Sequence, residues 1–343
     1  MTVNRLVWGF ALGVVPLLAV LAGILFGSVY LAPSVVMEVI AARLTGVSPS
    51  DPTASTIVWS LRLPRVMLAF AVGGGLAVVG VGMQALVRNP LAEPYLLGVS
   101  SGASAGASLF YLGFLPPLLS NTLSLPLAAF LGALIAMTLV VFVAREGSYL
   151  PTARLLLAGV ALSALFAAVT AFVTFASPDA DRMRAVLFWL LGSFAGAQWS
   201  TLWLPLGTAL LGTTLLWLVA RPLDALLTGE DAARALGVPI ERIKWGLIVW
   251  SALVTGMLVA AAGVVGFVGL IVPHAVRFVT GVSHRRVVPI AFLVGGPFLV
   301  LADLAARTVL PYQELPVGVL TALCGVPFFL WLLRRAGPSA SSA

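Results

Sequence analysis

The chain has 343 residues, of which 61% are hydrophobic and only 9% charged, and its mean hydropathy is +1.10. A soluble protein carries about 25% charged residues, so this composition excludes a large soluble domain and indicates a polytopic membrane protein. The net charge of +7 could suit nucleic acid, but the basic residues are scattered singly between apolar runs. That distribution is typical of membrane topogenesis and excludes a nucleic-acid partner.

Cysteine and histidine are scarce. The single cysteine, Cys324, excludes an internal disulfide, and with only two histidines a dedicated metal site is not expected. No glycine cluster leads into the Gly-Lys-Ser/Thr of a phosphate-binding loop. The glycines lie within apolar runs instead, where small residues let helices approach closely. We therefore expect the chain itself to bind no metal, ATP or other cofactor.

Apolar runs long enough to cross a bilayer, about 20 residues each, recur along the whole chain. The first, Leu6–Val29, is longer than the apolar core of a typical signal peptide, so we expect a retained helix. The sequence predicts an all-α polytopic membrane protein with about ten transmembrane helices in one domain, residues 1–343. The other predicted spans are Val66–Val87, Leu96–Leu119, Leu125–Ala144, Leu155–Ala176, Leu202–Ala220, Ile243–Ala262, Val264–Val279, Val288–Leu304 and Val317–Leu333.

The orientation follows from the arginines. Ten spans place both termini on one side, and assigning that side to the cytoplasm puts most of the basic residues in inner loops. Arg62 and Arg65 then fall outside, and neither has an acidic neighbour in sequence. A basic pair on the outer side is expected to receive acidic side chains of a docking partner, and anchoring to lipid headgroups is the alternative.

An unusual inner segment extends from Met83 to Ala103. It contains Pro90 and Pro94 and then a helix start rich in serine, glycine and alanine. Irregular backbone near a membrane persists where protein buries it or water reaches it. This loop is therefore expected to line a passage. A second irregular segment, Ala185–Trp199, is apolar but interrupted by glycines, and we expect a short helix at the outer surface there.

The longest inner loop, about residues 222–242, joins the sixth and seventh predicted spans. Its predicted short helix has two acids in the first turn, where they suit the helix dipole, and ends at a glycine. The small, half-apolar face of this helix suits docking into a groove of another protein, and a solvated connector is the alternative. Its residues are Gly229, Glu230, Asp231, Ala232, Ala233, Arg234, Leu236 and Gly237.

Several motifs follow one another along the chain. They are Arg62-Leu63-Pro64-Arg65, Arg88-Asn89-Pro90-Leu91-Ala92-Glu93-Pro94, Gly229-Glu230, Leu236-Gly237-Val238-Pro239, Val272-Pro273-His274, Ala302-Asp303, Arg307 and Glu314-Leu315-Pro316-Val317-Gly318. Together they resemble the FecCD family of ABC transporter permeases, which import iron–siderophore complexes, haem and cobalamin in bacteria. The resemblance extends from about Arg62 to Arg334.

The resemblance implies the permease fold of a type II ABC importer, with ten helices. Such a permease forms a homodimer around a central pathway in the bacterial cytoplasmic membrane and contacts its lipid. Two ATP-binding cassette subunits, which hold ATP and magnesium, would lie beneath it. An extracytoplasmic substrate-binding protein would dock outside. The chain itself would be a transport subunit and no enzyme.

Roles for two sets of residues also come from the resemblance. Arg62, Arg65 and Arg307 match arginines that receive glutamates of the binding protein. The short helix that begins at Glu230 matches the coupling helices that rest on the ATPase subunits. Both expectations agree with the outer placement of the arginines and with the composition of the inner loop.

The inner gate is a third implied site. Asn89 and Leu91 match gate residues of the family's cobalamin importer. A Thr-Ser pair of that importer corresponds to Thr152 and Ala153 here. The missing hydroxyl of Ala153 removes half of that gate contact, although a small residue can still close a constriction by packing.

Two other classes of function agree less well with the sequence. A secondary transporter driven by an ion gradient is the main alternative, but such proteins keep ionisable residues deep in the membrane. Here Asp303 and Arg307 lie near the outer end of their span and Glu93 lies near the inner surface. A membrane enzyme would need a His, Cys or paired-carboxylate constellation, which we do not find. The substrate stays open, and the breadth of the family favours an iron chelate or haem, with cobalamin close behind.

Overall fold

The computed structural model describes residues 2–120, 122–147, 149–310 and 312–335. Within these ranges the chain is helical, and its single extended pairing is an isolated bridge between Glu146 and Tyr149. The helices are α1 Thr2–Leu25, α2 Pro33–Thr45, α3 Pro52–Ser55, a π-helical stretch Thr56–Arg62, α4 Leu63–Val87, a 3₁₀ turn Pro94–Leu97, α5 Val99–Tyr111, α6 Pro117–Ser120, α7 Leu125–Ala144, α8 Thr152–Phe175, α9 Ala180–Leu190, α10 Trp199–Leu218, α11 Ala220–Leu226, α12 Glu230–Ala235, α13 Ile240–Ala262, α14 Val268–Thr280, α15 His284–Ala306 and α16 Val317–Arg335.

The helices match the predicted membrane spans. Six helical segments of the described chain are long and apolar enough to cross a bilayer: Pro52–Val87, which contains α4, and helices α7, α8, α10, α13 and α15. Three shorter apolar helices, Leu12–Leu25, Val268–Thr280 and Val317–Leu332, together with α5, correspond to the other four spans. The prediction of an all-α polytopic membrane protein is confirmed. In the segment Ala185–Trp199, residues up to Leu190 belong to α9, residues 191–198 are non-helical, and Trp199 begins α10.

Two helices are shorter than predicted. The predicted span Leu96–Leu119 contracts to α5, because the 3₁₀ turn before it ends at Gly98 with a left-handed backbone, φ 73°. The predicted span Val264–Val279 contracts to α14, because residues 263–267 are non-helical and Phe267 has φ 67°. Hydropathy registers both irregular segments as continuous apolar sequence, so it overestimates the length of each helix.

Helix α4 forms the centre of the bundle. It packs against α1, α10, α13, α14 and α15, and it is buried along nearly its whole length. Its glycines allow direct contact between backbones. A Cβ atom at Gly73 would lie 2.2 Å from the carbonyl oxygen of Gly295, and one at Gly80 would lie 1.9 Å from that of Gly269. Such contacts let helices associate in lipid, where burial of apolar surface gives little drive.

A methyl group at Gly80 tests this packing. We expect Gly80→Ala to lower the free energy of unfolding by about 1–3 kcal/mol or more, because backbone atoms of α14 cannot yield as a side chain would. Gly246→Ala is the matched control, since Gly246 lies in α13 with no atom within 4 Å of an added Cβ. Thermal unfolding of the purified protein in detergent would show the difference. Equal melting temperatures for the two variants would contradict the proposed close approach.

Candidate functional site

Arg65 is the centre of an ion-pair cluster where α4 begins and α15 ends. Its Nε and Nη2 atoms donate to the Asp303 carboxylate at 2.8–3.1 Å. Its Nη1 atom donates to both oxygens of Glu314 at 2.9 and 3.1 Å. The side chains of Arg65 and Asp303 are 12% and 2% exposed, whereas Glu314 is 38% exposed. Arg65 therefore makes one buried, forked ion pair and one pair that reaches solvent.

Arg62 and Arg307 are both buried against the end of α1. Nη1 of Arg62 donates to the carbonyl groups of Ile24 and Leu25 at 2.9 and 3.0 Å. Nη2 of Arg307 donates to the carbonyl group of Gly23 at 2.9 Å, and its Nε lies 3.3 Å from Asp303. The last carbonyl groups of a helix have no partner within the helix. The two arginines supply those partners, so each has a structural role in addition to any docking role.

The structure places the three predicted docking arginines together, but not as free cations. Arg65 has no acidic neighbour in sequence, but Asp303 and Glu314 reach it from 238 and 249 residues away. Sequence reasoning missed both acids as site residues. The available signal was that both acids belong to motifs that carry the family resemblance, Ala302-Asp303 and Glu314-Leu315-Pro316.

A cavity of about 540 Å³ opens beside this cluster. Arg307 and Glu314 line it together with Ser28, Tyr312 and Gln313. Tyr312 is fully exposed, and aromatic side chains are enriched in protein interfaces. The cavity is therefore the place where an outer partner could approach the cluster.

Loss of the Asp303 charge should destabilise the protein. We expect Asp303→Asn to lower the free energy of unfolding by about 3 kcal/mol, because Arg65 and Arg307 would lose their buried counter-ion. Asp181→Asn is the control, since Asp181 is 95% exposed and lies 4.0 Å from its partner Arg184. Thermal unfolding in detergent measures both variants. Similar losses of stability in the two variants would show that burial of the Asp303 pair adds nothing to the free energy of unfolding.

At the opposite end of α4 lies the gate loop, residues 88–98, which contains the predicted gate residues Asn89 and Leu91. Arg88 ends α4 with a left-handed backbone, φ 53°. The Asn89 side chain then accepts a hydrogen bond from the backbone N–H of Leu91 at 2.9 Å. Thr152 and Ala153 lie in the first turn of α8, which packs against the 3₁₀ turn Pro94–Leu97. The predicted gate residues thus lie on adjoining elements.

The gate loop is also fastened to the break between α13 and α14. The Tyr95 hydroxyl donates to the carbonyl group of Val265 and accepts from its N–H, the latter at 3.2 Å. The Glu93 carboxylate accepts from the N–H of Phe267, which immediately precedes α14. Glu93 and Tyr95 were not predicted as site residues. They hold two irregular segments to each other.

The predicted coupling helix is α12, and Glu230 connects it to neighbouring elements. Its carboxylate accepts from Nζ of Lys244 at 2.7 Å and lies 3.7 Å from Nη2 of Arg88, the first residue of the gate loop. Burial raises the pKa of Glu230, but the hydrogen bond and charge of Lys244 and the charges of Arg88 and Arg234 outweigh it, so the pKa lies below its usual range. Glu230 is therefore ionised at neutral pH and joins α12, α13 and the gate loop.

The other side of α12 is open to solvent. Asp231 is fully exposed and is paired with Arg234 at 3.9 Å. Ala232 is exposed, and Leu236 is 71% exposed. Ala233, by contrast, is buried and anchors the helix to the bundle. Small and apolar side chains on an exposed helix face are suited to docking in a groove.

Comparisons with known proteins agree with this architecture. The cobalamin import system permease protein BtuC of Halobacterium salinarum is 44% identical over 289 residues, 82% of this chain and 74% of that protein. The vitamin B12 import system permease protein BtuC of an Escherichia coli strain is 39% identical over 335 residues, 96% of this chain and 95% of that protein. A solved inward-facing ABC transporter of the metal-chelate type superposes with a TM-score of 0.81 at 30% identity, covering 95% of this chain and 98% of that one.

These similarities confirm the prediction of an ABC importer permease. They give no support to the alternative of an ion-gradient-driven secondary transporter, since each relative described above is an import permease or an ABC transporter. The resemblance read from the motifs is confirmed as well. The model of the FecCD transport family matches residues 15–335, and the chain belongs to that family.

Proposed function

We propose that this chain forms the membrane pathway of an ATP-driven importer of cobalamin in the cytoplasmic membrane. Relatives at 39% and 44% identity are named for vitamin B12 or cobalamin import. This favours cobalamin over the iron–siderophore and haem chelates that the breadth of the family suggested. The importer would contain two copies of the chain, two ATP-binding cassette subunits and an extracytoplasmic substrate-binding protein, with both termini of the chain cytoplasmic.

The geometry that best supports this function is the junction at Glu230. An exposed helix at the inner surface is suited to receive a partner, and its first residue is ion-paired with the first residue of the gate loop. Lys244 ties the same carboxylate to the base of α13. We infer that ATPase subunits move α12 and that the gate loop, with Asn89 and Leu91, follows. Thr152 and Ala153 would form the facing side of the gate.

At the outer surface, Arg62, Arg65 and Arg307 are proposed to receive acidic residues of the binding protein. Supporting this are the cavity beside Arg307 and the excess of positive charge, because three guanidinium groups share two carboxylates, those of Asp303 and Glu314. Arg62 and Arg307 are 4% exposed. They would act chiefly through their charge, and Arg65 through direct contact.

Reconstituted transport tests the proposed substrate. We expect proteoliposomes that hold this chain and its ATPase partner, with ATP inside, to accumulate labelled cobalamin when a cobalamin-binding protein is outside. Accumulation should stop without ATP or with an ATPase variant unable to hydrolyse it, because the permease supplies only the pathway. Labelled haem and ferric siderophore, each offered with its own binding protein, are the matched controls. Accumulation of one of these in place of cobalamin would overturn the substrate assignment.

A single substitution tests the junction at Glu230. We expect Arg88→Gln to lower the amount of cobalamin transported per ATP hydrolysed about fivefold, a typical size for coupling between two sites. ATPase activity should stay near that of the parent, since α12 and its exposed face are unchanged. Arg286→Gln is the control, because Arg286 is an exposed arginine in the first turn of α15 and its loss removes the same charge while the Arg88–Glu230 pair stays in place. An unchanged ratio for Arg88→Gln would show that the gate loop does not depend on this ion pair.

A further inference from the structure

The two carboxylates that hold Arg65 differ in how firmly they are held. Asp303 is 2% exposed, forms a fork with Nε and Nη2 of Arg65, and lies 3.3 Å from Arg307. Glu314 is 38% exposed and binds a single nitrogen, Nη1. A buried, forked pair is costly to break, whereas a pair at the solvent boundary contributes little and exchanges readily. Glu314 is therefore the exchangeable partner of Arg65.

Glu314 also occupies the route by which a partner would reach Arg65. Its side chain lines the outer cavity of about 540 Å³, while Arg65 is not among the described residues that line it. The Glu314 carboxylate thus covers Nη1 of Arg65 on the cavity side. The next residue, Leu315, is fixed by a hydrogen bond from its N–H to the carbonyl group of Ala306 at 2.9 Å. The Glu314 side chain can rotate into solvent while the backbone after it stays in place.

The charge of the cluster favours an exchange of this kind. Arg62 is bound only by carbonyl groups among the contacts the structure describes, so its charge is not neutralised locally. With Asp303 and Glu314 in place, the cluster of three arginines and two acids has a net charge of one positive unit. Rotation of Glu314 into solvent would leave two positive units around Arg65. An incoming carboxylate on Nη1 would restore the original balance, and it would be attracted by the excess charge throughout its approach.

We propose that Glu314 is an internal substitute for an acidic residue of the docking protein, occupying Arg65 in the free permease and yielding it when that protein binds. This inference rests on the proposed docking role of the arginine cluster and names the group that competes for it. Its consequence is that docking is an exchange of one carboxylate for another. Arg65 is never left unpaired, and the docked partner is held less tightly than an empty site would hold it.

Docking affinity tests the exchange. The probe is the binding protein that supports cobalamin uptake in the reconstituted system, and biolayer interferometry measures its affinity for the permease in lipid nanodiscs. We expect Glu314→Ala to raise the affinity about threefold to fivefold, the worth of one solvent-exposed ion pair. Glu314→Gln should give a smaller increase, because its amide oxygen can still accept from Arg65. Arg65→Gln should weaken docking.

Glu38→Ala is the matched control. Glu38 is an exposed acid of α2 whose carboxylate accepts from the Ser50 hydroxyl and N–H, so its removal changes the charge of the outer surface equally without freeing Arg65. An affinity gain for Glu314→Ala no larger than that for Glu38→Ala would overturn the inference. If Arg65→Gln still weakens docking in that case, the arginine cluster remains the docking site and only the competition is refuted. If Arg65→Gln changes nothing, the docking proposal fails too. Melting temperatures of all variants verify folding.

Discussion

The contact between the backbone of α4 and those of its neighbours is the constraint on which the rest of this structure depends. In lipid, moving an apolar side chain from the acyl chains into a helix interface changes its free energy little, so helices associate through close packing and polar contacts. Gly73 meets Gly295 of α15, and Gly80 meets Gly269 of α14, at distances that leave no space for a Cβ atom. Gln84 adds a polar contact one turn further along, where its amide donates to the carbonyl group of Gly269 at 3.2 Å. These contacts fix α4 against both partners.

Both predicted partner sites are attached to this packed unit. Helix α4 has 25 residues and spans about 37 Å at 1.5 Å per residue, with Arg65 in its first turn and Arg88 immediately after its last. Helix α15 carries Asp303 at the outer end. At the inner end its first residue, His284, lies 2.6 Å from Asp224 of α11, the helix that precedes α12. The predicted docking cluster and the predicted coupling region are therefore attached to opposite ends of the α4–α15 pair.

The sequence predicts the membrane helices well because a helix is the one structure that satisfies its own backbone within an apolar run. It also predicts that the arginines lie outside, through the asymmetry of basic residues, and the unusual composition of α12 and of the gate loop marks both as candidate sites. It does not predict which charges pair. Arg65 meets Glu314 across 249 residues of chain, and no periodicity encodes that meeting. Hydropathy likewise cannot show that residues 263–267 are non-helical, since the same apolar residues suit a helix or a buried loop.

The strength of each polar contact indicates which parts of the molecule stay together and which can move. The Arg65–Asp303 pair and the bonds of Arg62 to α1 are buried, and breaking a buried pair costs about 3–5 kcal/mol. Such contacts suit parts that stay together. The Arg88–Glu230 pair is 3.7 Å long between side chains that are 46% and 23% exposed, and Glu314 is similarly open to solvent. Pairs of that kind contribute about 0–1 kcal/mol. A transporter that alternates between two states needs contacts at its moving boundaries that can readjust at a small cost in free energy. The exposed pairs, Arg88–Glu230 and Arg65–Glu314, lie at the two predicted partner surfaces.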